Sequence, residues 1–347
     1  MNGPITWREL VSQPDAWRRL VARLDAGADV PDVSLDSFDE VVMLGSGTSY
    51  YLALAAADWM RRRHVVPVRA VPSCEVVLDA HERRRAPGRR RLVIAFSRSG
   101  ESSELILALD ALRGDGTVVL GIGCVAGSSL MCAADIPFFI AEGEEEGLVM
   151  LRSFTCMLIA SQYLLGTDAD RAALRTLADA GQAVLDQQSG ELRAVATLRA
   201  FDRFVFLASG PSYPIALEAG LKVQEMSIST SETYHSLEYR HGPKATADRD
   251  TLLTLFTLAD PAFGLPLARD MKALGVTLIV VGPAADRYEG VADMVVASPP
   301  SLDEDVASVL SLLSLQIVAY ETATRRGKNP DAPENLSKVV ILEPVHG

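Results

Sequence analysis

Apolar positions along the chain alternate between two rhythms. Short, nearly continuous apolar runs lead through Gly/Ser-rich turns into longer segments with helical spacing. DEVVMLGSGTSYYLALAAADWM (39–60) predicts a buried strand, a turn and a helix. VPVRAVPS (66–73), RLVIAFS (91–97), GTVVLGIG (116–123) and IPFFIA (136–141) predict four more strands, and LRSFTCMLIASQYLLG (151–166) a long apolar helix. Strands this continuously apolar, alternating with helices, predict an α/β fold whose parallel sheet is covered on both faces. Residues 1–36 read as helical, with Trp7, Leu10, Val11, Trp17, Leu20 and Val21 as the apolar set and Pro14 breaking it.

The pattern then repeats. LGSGTSYYLALAAADWM (44–60) aligned without a gap on LASGPSYPIALEAGLKV (207–223) gives identities at 8 of 17 positions. DTLLTLFTL (250–258) takes the place of RLVIAFS, and GVTLIVVGP (275–283) that of GTVVLGIG. Duplication on this scale predicts two similar α/β subdomains in tandem. The boundaries expected are an N-terminal helical segment (1–36), a first subdomain (37–185), a second (195–328) and a C-terminal tail (329–347), with the connection near 190–201.

The halves differ where chemistry is expected. The second-half helix carries Glu218, Lys222 and Glu225, spaced i, i+4 and i+7, on one stripe of an otherwise apolar helix. That stripe is either a solvent face with ion pairs or an acid–base site. Ser212 reads as its N-cap and Pro214 as an early helical residue. The loop after the third strand is SRSGESSE (97–104) in the first half and TLADPAFG (257–264) in the second. In the former, the hydroxyls of Ser97, Ser99, Ser102 and Ser103, the Gly100 backbone and the following helix start could converge on a phosphate. The alternative is a capping turn with no ligand. GSGTS (45–49) is a second such turn, but Tyr50 interrupts the dinucleotide fingerprint, so a nicotinamide cofactor is not expected.

Charge and composition narrow the picture. The net charge of -12 argues against nucleic acid as a partner. No apolar run is read as approaching the roughly 18 residues of a membrane span. The N-terminus carries charges and a Pro where a signal peptide has an apolar core, so a cytoplasmic location is expected. Four scattered cysteines read as free thiols, three of them in apolar surroundings, with no metal-ligand spacing. HERRRAPGRRR (81–91) and EGEEEG (142–147) read as solvated surface segments.

These motifs together resemble the SIS (sugar isomerase) family, most of all the isomerase half of glucosamine-6-phosphate synthase and related amino-sugar-phosphate deaminase/isomerases. The likeness runs through ELVSQP (9–14), GSGTSY, SRSGESSE, GLKVQEMS, ETYHSLEYRHGP and ENLSK, in that order. It implies two tandem SIS subdomains, each a flavodoxin-like parallel sheet flanked by helices. It implies that Thr48, Ser49, Ser97, Arg98, Ser99 and Ser102 hold the substrate phosphate, with Gly47 and Glu218 as supporting residues. Arg98 stands where the family often has Gln or another residue. The resemblance assigns Glu225 as the base that moves the C2 proton and Lys222 as its neighbour. It assigns His241 as the ring-opening group, supplied across a homodimer interface, and Lys338 as the residue that can form a Schiff base with the open ketose. His235 has no family role and reads as structural or rim, and His346 as exposed.

No metal or cofactor is implied; the partner is a phosphorylated amino sugar or ketose. Because the chain opens MNGP without the synthase's glutaminase segment, the breakdown direction is expected: glucosamine 6-phosphate and water to fructose 6-phosphate and ammonia. Galactosamine 6-phosphate deamination, tagatose 6-phosphate isomerisation and fructosamine 6-phosphate deglycation use the same scaffold. A noncatalytic phosphosugar regulator is the rival of another class, and it predicts loss of the base, histidine and lysine that are present here.

Overall fold

Strand after strand in this chain is buried on both faces, and this is why the apolar runs read as continuous. The computed structural model describes residues 4–342. Its first half runs α1 (Ile5–Val11), α2 (Gln13–Asp25), β1 (Glu40–Gly45), α3 (Thr48–Arg63), β2 (Val68–Pro72), α4 (Ser73–Leu78), β3 (Arg91–Ser97), α5 (Ser103–Leu112), β4 (Thr117–Gly123), α6 (Ser129–Ala133), β5 (Ile136–Phe139) and α7 (Arg152–Leu165). The second runs α8 (Asp168–Ala196), β6 (Arg203–Ala208), α9 (Ser212–Ser227), β7 (Ser231–His235), β8 (Thr251–Phe256), α10 (Pro261–Ala273), β9 (Thr277–Pro283), β10 (Met294–Ser298) and α11 (Glu304–Arg325).

The chain divides into two units. One comprises Asp15–Glu146, Met150–Ala172 and Ser337–Gly347, and carries the sheet β2-β1-β3-β4-β5. The other comprises Met1–Pro14, Gly147–Val149 and Ala173–Leu336, and carries the sheet β10-β9-β8-β6-β7. All pairings are parallel. Read from its other edge, the second sheet has the order of the first, so the duplication seen in sequence is a duplication of topology. In each sheet the order reverses beside the first strand, between β1 and β3 and between β6 and β8. Open α/β sheets bind ligands at the carboxyl ends of the strands flanking such a point. Each unit has its own core: Val42, Val93, Leu109 and Val119 anchor one, and Val205, Leu253, Leu278 and Met271 the other.

Several expectations need correction. The N-terminal helix breaks at Ser12, and Pro14 lies in the first turn of α2, where its missing N–H costs nothing; beyond Asp25 the segment leaves helical form. Ser212 is the first residue of α9, its cap position is Pro211, and its hydroxyl donates to Glu304 at 2.9 Å. Only Cys124 and Cys156 are buried; Cys74 and Cys132 are exposed. Arg91 closes the basic run as the buried first residue of β3, donating to Glu40 at 2.6 Å. Finally, α11 is by length and composition apolar enough to cross a membrane, but 94% of the qualifying stretch is buried inside the protein. It packs against α9 as a core helix.

Candidate active site

In the β1–β5 unit the turn after β1 is set by two glycines. A Cβ at Gly45 would lie 2.2 Å from the carbonyl carbon and oxygen of Ser49, so only glycine lets the start of α3 come this close to the strand end. Gly47 takes φ 55°, and its repeat counterpart Gly210 takes φ 58°. Thr48 and Ser49 follow in the first turn of α3, both buried.

The loop after β3 is folded by its own hydroxyls. Ser97 Oγ accepts from the Gly100 amide at 2.9 Å, and Ser99 Oγ from the Glu101 amide at 3.2 Å. A hydroxyl that accepts from the backbone still has its proton to donate, which is what a phosphate oxygen requires. Gly100 has φ 71°, and a Cβ there would sit 2.1 Å from Ser128 Oγ, so the loop is pressed against the segment leading to α6. Ser102 occupies the N-cap position of α5. The next amide, that of Ser103, donates to the Val340 carbonyl at 3.3 Å.

Arg98 does not extend from this loop into solvent. It is buried, its Nη1 lies 3.5 Å from Glu145 Oε2, and its Nη2 donates to the Lys338 carbonyl at 3.2 Å. The ammonium of Lys338 donates to the carbonyls of Glu145 (2.8 Å) and Glu146 (3.1 Å). The structure thus brings together Arg98 and Lys338, which the sequence placed in separate roles, through Glu145, which it placed in a solvated run. The acidic run alternates instead: Glu144 and Glu146 are exposed and Glu145 is buried. Glu142 pairs with Arg23 at 2.9 Å; burial pushes its carboxyl up, but the guanidinium outweighs this and holds it below the ordinary range.

In the β6–β10 unit the charged stripe on α9 is not a solvent face. Glu218 and Lys222 are fully buried, with Nζ 3.2 Å from Glu218 Oε1, and Lys222 is also ion-paired with Glu225. Glu225 keeps 15% of its side chain exposed, and so is the more accessible of the two carboxylates. Burial works against the Lys222 ammonium, but the carboxylates of Glu218 and Glu225 outweigh it and hold its pKa above the ordinary lysine value. The helix ends on Ile228 in the left-handed region.

His241 is exposed and closes a short 3-10 turn, Glu238–His241. Gly242 at φ 140° and Pro243 then turn the chain into the next 3-10 segment. His235 stacks on Tyr213, ring centroids 3.9 Å apart and 14° from parallel. His346 lies outside the described residues. Among the described residues, no three His, Cys, Asp or Glu side chains converge as metal ligands would.

Comparison with known proteins places this geometry. Residues 35–165 match the family model described as SIS domain.

The protein carries a SIS domain.

The two parallel five-stranded sheets with their helices are two tandem SIS subdomains. Among relatives, the chain is 29% identical over 351 residues to the glutamine–fructose-6-phosphate aminotransferase [isomerizing] of Pyrobaculum aerophilum, covering 97% of this chain and 57% of that protein. It is 30% identical over 322 residues to the enzyme of the same name from Acidithiobacillus ferridurans, covering 88% and 52%. The chain therefore spans about half the length of the relatives it matches. Among solved structures, a glucosamine-6-phosphate deaminase from Thermotoga maritima matches with a TM-score of 0.80 and 28% identity, covering 97% of this chain and 99% of that one. A tagatose-6-phosphate ketose/aldose isomerase from Escherichia coli matches with a TM-score of 0.85 over 99% and 98%; at 23% identity this is a likeness of fold.

Proposed function

We propose that the protein is a phosphosugar isomerase acting as an amino-sugar-phosphate deaminase, converting glucosamine 6-phosphate and water into fructose 6-phosphate and ammonia. The observation that carries the reading is the α9 stripe. A buried ammonium sits between two carboxylates, and only Glu225 of that pair is accessible. A structural ion pair on a core helix has no need of the exposed carboxylate; a proton-transfer site does. The Thermotoga deaminase, matched over nearly the whole of both chains, supports the same chemistry.

The steps follow from proton bookkeeping. His241, exposed in a single chain, opens the pyranose ring by moving a proton from the C1 hydroxyl to the ring oxygen. It acts in the neighbouring copy of a homodimer. Glu225 takes the proton from C2 of the open aldehyde, giving an enaminol, and returns it to C1, giving the ketose imine. Lys222 sets an opposite charge in contact with the Glu225 carboxylate. Water adds to the imine carbon and ammonia leaves, and Lys338 can take the same carbon as a lysyl imine before hydrolysis. Ser97, Ser99, Ser102, Thr48 and Ser49 hold the phosphate, which lends binding energy and position to bonds it does not touch.

The test is turnover. Incubation with glucosamine 6-phosphate is expected to release ammonia and fructose 6-phosphate in equal amounts, faster than with galactosamine 6-phosphate. Tight phosphosugar binding with turnover of neither sugar sinks the reading in favour of a regulator.

A further inference from the structure

We propose that Glu145 is a positioning residue that sets Lys338 for its reaction; this rests on the reading of Lys338 as the imine-forming residue. The Glu145 side chain is fully buried. One oxygen accepts from the amides of Leu151 (2.8 Å) and Ser153 (3.1 Å), and the other from the Ser153 hydroxyl at 2.6 Å. The carboxylate thereby fixes the turn into α7. That fixed turn presents the Glu145 and Glu146 carbonyls that hold the Lys338 ammonium. The same carboxylate is the counter-charge for Arg98, whose other nitrogen holds the Lys338 backbone carbonyl. Lys338 is gripped at its backbone and at its side-chain tip, and one buried carboxylate orders both grips.

The residue type at 98 gives the arrangement its logic. A buried arginine needs a counter-charge, because an unpaired guanidinium out of water is costly, whereas a neutral glutamine in its place does not. Glu145→Gln therefore does more than shorten a list of hydrogen bonds. It leaves Arg98 buried without its counter-charge and frees it to pull away from the tail. Arg98→Gln combined with Glu145→Gln removes both charges and relieves that conflict.

The experiment traps the lysyl imine. Wild type, Glu145→Gln and the double variant are incubated with saturating fructose 6-phosphate and cyanoborohydride, and the adduct at Lys338 is followed by mass spectrometry. A parallel sample is nicked with trypsin, and cleavage after Lys338 is timed. In Glu145→Gln the adduct is expected to form about tenfold more slowly and cleavage to run about tenfold faster, the scale of a lost charge-assisted hydrogen bond. In the double variant the melting temperature returns toward that of wild type, since the uncompensated charge is gone, while both rates stay changed, since neither grip on Lys338 is restored. Equal adduct and cleavage rates in wild type and Glu145→Gln, or a double variant whose rates return to those of wild type, overturn the positioning role. No adduct at Lys338 in wild type overturns the functional reading of that lysine, and this proposal with it.

Discussion

Lys222→Met is the most informative perturbation of the acid–base stripe. The substitution keeps the length and apolar stem of the side chain and deletes only the ammonium. In the folded protein that ammonium lies 3.2 Å from Glu218 Oε1 and is paired with Glu225, with Lys222 and Glu218 fully buried. At an effective dielectric of about 20, each contact of this length is worth on the order of 5 kcal/mol before desolvation. Removing one partner of such a buried group costs about 3–5 kcal/mol net, because the remaining charge is left uncompensated. The chain recovers part of this by taking up a proton. With the ammonium gone, two like charges share one site, and one carboxylate takes up a proton more readily.

Two measurements read that uptake. The acid limb of the pH–rate profile for deuterium exchange at C2 should move up, so that exchange is lost on acidification at a higher pH in the variant than in wild type. Thermal stability should carry the same signature with a definite sign. Carboxyl groups whose folded pKa is raised stabilise the fold below that pKa and lose the contribution as pH rises through it, so the variant should melt higher at pH 5 than at pH 8. Wild type should not show that rise on acidification, because its raised pKa belongs to Lys222 and is lost only as pH climbs past the ordinary lysine value of 10.5. A loss of exchange equal at every pH, with the acid limb unmoved, refutes the electrostatic reasoning.

Gly45→Ala should lower the melting temperature and weaken phosphosugar binding together. The new Cβ meets the backbone of Ser49 at 2.2 Å, and overpacking of this kind costs about 1–3 kcal/mol or more. Asp331→Asn should cost about 1–2 kcal/mol at neutral pH, since its carboxylate accepts from the Ile5 and Thr6 amides at 2.9 and 2.7 Å. Burial raises the Asp331 carboxyl, but those amides outweigh it and hold its pKa below the usual 3.8. Its contribution is present above 3.8 and is lost as pH falls through the lower folded value, so the gap in melting temperature between wild type and variant should close in acid.

The fold was legible where burial was two-sided. β3 and β8 are buried along their whole length, and their sequences are unbroken apolar runs that identify themselves. β7 is SETYH, half-buried and last in its sheet, and its polar sequence gave no strand signal. The stripe Glu218, Lys222 and Glu225 could be read from helical spacing because the rest of α9 offers so few polar positions. Glu145 could not. In EGEEEG its neighbours carry the same charge, and only burial separates it from the exposed Glu144 and Glu146. Arg98 was legible as a cation in a Ser/Gly-rich loop. That its charge is answered by Glu145, 47 positions away, depends on tertiary approach and leaves no local pattern.

The central claim is that Glu225 carries the proton between C2 and C1. Its most direct test is Glu225→Gln in deuterium oxide with glucosamine 6-phosphate, following the C2 hydrogen by NMR alongside ammonia release. The account predicts exchange and ammonia release in wild type and neither in the variant, with phosphosugar binding retained. Undiminished C2 exchange in Glu225→Gln would contradict it.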